Sequence, residues 1–167
     1  MIGLTVHEVD FAVPAAVRSL PWYDGRAENF DASDLRYSHF PARVTFSVDD
    51  VVVMGPRFLV PLFDLLWCVR EVLADLRGRR PASIGFTESA DQVRFLPSAG
   101  DCVEIIYAES RSRPGEQYFH EARRARADRR ELIEALTDFL ASGIRTLTVN
   151  VAGLDRNEHF RDLAAPS

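Results

Sequence analysis

The sequence predicts an α+β fold: a mostly antiparallel sheet, built from a hairpin and a four-strand meander, with two main amphipathic helices. Three observations carry this. A series of short segments alternates apolar and polar residues. Two longer segments repeat apolar residues at three- and four-residue steps. The connectors between successive strand segments are short, which suits antiparallel neighbours.

Residues 3–11 read as a first strand through Leu4, Val6, Val9 and Phe11. Residues 14–41 are irregular, punctuated by Pro14, Pro21, Gly25 and Pro41. That segment holds Trp22, Tyr23, Phe30, Tyr37 and Phe40, so it is expected to pack on the domain. Arg43 to Val48 alternates with period two, Asp49-Asp50 makes a turn, and Val51 to Met54 returns. The strongest helix follows. Its apolar positions, from Phe58/Leu59 through Leu62, Leu65/Leu66 and Val69 to Leu76, leave only a narrow polar stripe, so it should pack on more than one side. Pro61 is placed in its first turn, with the start near Leu59 or Val60 and the end at Gly78.

The meander is expected at Ser83–Glu88, Gln92–Leu96, Cys102–Glu109 and Gln117–Glu121. A second helix is expected from about Ala125 to Ser142, with Gly143 at its C′ position. Ile144 to Val151 alternates like a last strand, and Asp155-x-x-Glu158 resembles a capping box before a short terminal helix. The whole chain is one domain: an irregular segment 1–42, a core 43–151 and a tail 152–167.

Composition limits the function classes. All 20 basic residues are Arg, and the net charge is −5. Residues 1–34 hold six acids against two bases, giving −4 of that total. An acidic chain argues against non-specific nucleic-acid binding, and its acidic N-terminal end reads first as a solvated face and second as a contact for a basic protein. No apolar run reaches membrane-spanning length, and no signal peptide is recognisable, so a cytoplasmic location is expected. Cys68 and Cys102 read as small buried hydrophobes without a disulfide.

Motifs that carry chemistry are absent: no phosphate loop, nucleophile elbow, zinc spacing or calcium loop. No cofactor or metal is therefore expected, and no catalytic residue is named. Asp49-Asp50 with Asp31 and Asp34 is explained by turn preference before any cation site. Asp31 and Asp34 are instead candidates for contacting a basic partner, with Trp22 and Tyr23 as interface anchors or as pins for the segment. His120, Arg123 and Arg124 are candidates for a pocket or anion site. The cluster Arg123, Arg124, Arg126, Arg129 and Arg130 also reads as a solvated helix start paired with Glu121, Asp128, Glu131 and Glu134.

Phe58-x-x-x-Leu62-x-x-Leu65-Leu66 lies in the first helix. Ser83 to Glu88 runs into Val93-Arg94-Phe95, and Glu131-Leu132-x-x-Ala135-Leu136-x-x-Phe139-Leu140 closes the layout. Over residues 43–142 this arrangement resembles the small bacterial immunity and immunity-like proteins of polymorphic toxin systems, WapI-type proteins among them. The resemblance implies a non-enzymatic protein that blocks a partner toxin by occlusion, and it carries no catalytic residues. The alternative is a ligand-binding or enzymatic domain with a pocket between the sheet and the first helix, lined by His120 and nearby Arg side chains.

Overall fold

In the computed structural model, residues 1–12, 18–19, 21, 24–55, 58–86, 89–113 and 116–165 are described. Among the described residues, two antiparallel sheets and three α-helices of a full turn or more arise in chain order: an α+β fold, as the alternation and short connectors predict. The first sheet holds β1 (Ile2–Val9), β2 (Pro41–Val48) and β3 (Val51–Met54), with β4 (Leu59–Pro61) pairing the start of β2. The second is the expected meander, β5 (Ala82–Gly85), β6 (Gln92–Ser98), β7 (Cys102–Arg113) and β8 (Glu116–Asp128). Helix α1 spans Leu62–Arg77, α2 Arg129–Asn150 and α3 Glu158–Ala164. None of the described helices is long and apolar enough to cross a membrane.

Helix α1 is the centre of the core. Leu62, Phe63, Leu65, Leu66, Val69, Val72, Leu73 and Leu76 are all buried, and the helix packs against α2, β5, β4 and α3. It begins at Leu62, later than its apolar pattern suggests. Pro61 forces extended backbone on Val60, and Leu59–Pro61 pairs with Pro41–Arg43 instead. The Leu62 N–H then donates to the Phe40 carbonyl at 2.9 Å, which ties the helix start to β2.

The second half departs further from expectation. Residues 125–128 belong to β8, where Ala125 and Ala127 are buried while Arg124 and Arg126 are exposed. Helix α2 starts at Arg129 because Asp128 caps it, its Oδ1 accepting from the N–H groups of Arg130 and Glu131 at 2.9 and 3.1 Å. The helix runs through Gly143 to Asn150, so 144–151 is not a strand. Its buried positions Leu132, Leu136, Phe139, Gly143 and Leu147 keep helical spacing. The terminal helix is capped by Asn157 and not by Asp155.

Candidate functional site

Of the residues singled out from sequence, those described fall into two separate places: Asp31 and Asp34 at the π-helical turn before β2, and His120, Arg123 and Arg124 on β8. Asp31 is exposed, and its Oδ1 accepts from the Asp34 N–H at 2.7 Å, so it caps its own turn. Asp34 is half-buried at the head of the π-helical turn Asp34–Ser38. Trp22 and Tyr23 lie outside the described residues. The other acids of the N-terminal third are largely engaged: Asp24 with Arg26, Glu28 with Arg156, Glu8 with Arg43. Asp49 at the hairpin corner pairs with the Met1 ammonium. Among the described residues no group of three or more His, Cys, Asp or Glu could hold a metal ion.

His120 sits exposed on the far part of the β7–β8 hairpin, opposite Glu109. Arg123 and Arg124 are strand neighbours, not helix residues. Arg123 is half-buried: its guanidinium donates to the Val53 carbonyl at 2.8 Å and lies 4.9 Å over the Tyr107 ring, joining the two sheets. Arg124 stays exposed, bound to Glu121 at 2.7 and 2.8 Å and to Glu104 at 3.2 Å. The remaining guanidiniums are also engaged, Arg126 with the Ala99 carbonyl, Arg129 with Asp101 and Arg130 with Glu134. Of the helix-start pairs expected from sequence, only Arg130–Glu134 has i,i+4 helical form. The crevice between α1 and β5, bounded by Asp64, Cys68, Ile84 and Phe86, measures about 10 Å³. That is about one water. Further along α1 an open cleft of about 350 Å³ lies between Glu71, Val72 and Asp75 and the strand residues Ala82, Ser83, Gln92, Arg94 and Leu96, and His120, Arg123 and Arg124 are not in its described lining.

A different feature has the dimensions of a site. An open groove of about 590 Å³ runs between β1 and α2. One wall is Ile2, Gly3, Leu4, Thr5 and Val6; the other is Ala135, Asp138, Phe139, Ser142 and Thr146. Five consecutive strand residues can line a groove only along the strand's edge, because side chains alternate between faces.

The register shows what that edge carries. The Asp49 N–H donates to the Met1 carbonyl at 2.7 Å, and Ile2, Leu4 and Val6 stand opposite Val48, Phe46 and Val44. In an antiparallel ladder this makes Met1, Gly3 and Thr5 the residues bonded to β2. The Val44 N–H confirms the parity by donating away from β1, to the Phe58 carbonyl. The backbone groups of Ile2, Leu4 and Val6 therefore point outward along the groove. Among the described residues β1 pairs with β2 alone. Sequence reasoning located the strand but not its place at a sheet edge, which depends on long-range pairing.

No family model, no curated protein and no solved structure matches this chain.

Proposed function

We propose that this chain is a non-catalytic protein-interaction module that takes an extended segment of a partner protein into the β1–α2 groove as an added strand. The observation that carries the reading is the outward row of backbone groups at Ile2, Leu4 and Val6 beside a groove of about 590 Å³. Strand addition satisfies such a row with main-chain hydrogen bonds, and side-chain contacts to the opposite wall then provide selectivity. The walls match an extended peptide in length. Residues 2–6 extend about 13 Å at the strand rise, and 135–146 about 16 Å at the helical rise. The resemblance to immunity proteins supports a partner that is itself a protein and is blocked by occlusion.

A random ten-residue peptide library displayed against the full chain tests this. Selected peptides are expected to slow amide exchange at Ile2, Leu4 and Val6. Leu4→Pro is expected to lose binding, since proline removes an outward donor while Gly3 and Thr5 keep the bonds to β2. Leu4→Ala keeps the N–H and should retain it. Peptides that protect other amides and survive Leu4→Pro would refute the reading. So would a dimer whose β1 amides are protected without any peptide.

A further inference from the structure

We infer that the groove selects a partner segment carrying one basic side chain, held by Asp138, with uncharged side chains at the next two alternate positions, facing Ser142 and Thr146. The inference rests on strand addition to β1 as proposed above.

Among the described residues, Asp138 is the only charged side chain in the groove's lining. It is exposed and sits in the middle of α2, away from the first turn where the helix dipole favours an acid. The residues three and four positions away are Glu134, Ala135, Ala141 and Ser142, so the helix supplies it no cation. No salt bridge forms on Asp138 among the described residues, whereas Asp24, Asp75, Asp101, Glu104 and Glu121 each hold a guanidinium. A lone carboxylate facing an open hydrogen-bonding edge is complementary to a cation delivered by the occupant of that edge.

The spacing favours a single reading along the groove. Asp138, Ser142 and Thr146 recur every four residues, about 6 Å apart along the helix. Alternate side chains on one face of a strand recur at about 6.7 Å. An added strand therefore presents successive same-face side chains to Asp138, then Ser142, then Thr146. One carboxylate followed by two hydroxyls accepts one cation followed by small uncharged groups. Phe139 and Ala135 are the apolar part of the same wall. A carboxylate in the first of these positions would face Asp138 and be rejected.

The test uses the full chain and two capped seven-residue peptides of alternating Val and Thr. One carries Arg at the first groove-facing position; the other carries citrulline, its neutral isostere. Affinity is read by fluorescence anisotropy and strand addition by exchange of the Leu4 amide. The Arg peptide is expected to bind about 3- to 10-fold more tightly, with the advantage shrinking as salt rises. Asp138→Asn should remove the difference while leaving Leu4 protected by both peptides. Equal affinities with Leu4 protected would overturn the charge selection and leave strand addition standing. Failure of both peptides to protect Leu4 would overturn the groove reading itself.

Discussion

A Cβ built on Gly143 would lie 2.5 Å from Leu66 Cδ2, closer than side-chain atoms approach one another. Gly143 therefore brings α2 onto α1; it does not end a helix. Leu66 is fully buried, so moving it aside must displace other core side chains. Gly143→Ala should gain about 1 kcal/mol of helix propensity and lose about 2–3 kcal/mol to overpacking. A net loss of roughly 1–2 kcal/mol is expected by urea denaturation. Adding Leu66→Val to Gly143→Ala should recover part of it, which a double-mutant cycle would show as coupling. A Gly143→Ala protein more stable than the parent would refute the close approach.

Asn157 joins the N-terminal segment to the last helix. It is 1% exposed, and its side-chain N–H₂ donates to the Ala27 and Phe30 carbonyls at 3.0 and 2.8 Å. Its Oδ1 accepts from the N–H groups of His159 and Phe160 at 3.0 and 3.2 Å. Asn157→Ala removes a helix cap, worth about 1 kcal/mol, and strands buried carbonyls at about 1–3 kcal/mol. A loss of roughly 2–4 kcal/mol is expected. Asn157→Asp keeps the cap but turns both donors into acceptors. It should be no better than alanine at neutral pH, measured by the same denaturation midpoint.

What was legible in the sequence was whatever local periodicity decides. Val44, Phe46 and Val48 gave β2, and the apolar spacing from Leu62 to Leu76 gave α1. Errors fell where two signals competed. Arg124-Ala125-Arg126-Ala127 alternates like a strand, and Asp128-x-x-Glu131 is a helix start, yet the arginine cluster reads as helical charge pairing. Gly143 carries a helix-stop signal that tertiary packing overrides. The groove was not legible at all. Its two walls lie more than a hundred residues apart, and nothing in residues 2–6 marks them as an edge instead of a central strand.

Cys68 should be an unreactive thiol. Burial pushes its pKa up to about 11, nearby Asp64 adding to the effect and Arg36 opposing it. Arg36 is itself held to Asp64 at 2.6 Å, with its guanidinium 5.9 Å from the Trp67 ring centroid. Relative to an ordinary thiol, the thiolate fraction at pH 8 falls about a hundredfold. In a Cys102→Ser protein, reaction with Ellman's reagent should be slow by at least that factor and become fast in denaturant. Asp64→Asn should speed it by lowering the thiol pKa. Rapid labelling of the folded Cys102→Ser protein would contradict the burial.

His39 should make stability decline as pH falls below about 6.5. Its ring is 2% exposed, stacks on Phe30 at 4.3 Å and contacts Phe40 at 5.6 Å, and among the described residues neither ring nitrogen has a hydrogen-bond partner. Phe40 itself is held at φ 57°, a backbone region that bulky residues avoid. Burial holds the imidazole pKa below its ordinary 6.5, with Asp34 and Asp31 pulling the other way. The unfolded chain then binds a proton below pH 6.5 that the folded chain refuses. Stability is full above that value and declines as pH falls toward the folded pKa, by at most about 1.4 kcal/mol per pH unit. His39→Phe should flatten this limb and cost nothing at pH 7.5, because no unpaired nitrogen remains buried. Asp31→Asn with Asp34→Asn removes the groups that favour the charged ring. The limb should then extend to lower pH. Urea midpoints taken above and below pH 6.5 decide it: an acid limb of equal slope in His39→Phe would assign the dependence to other groups.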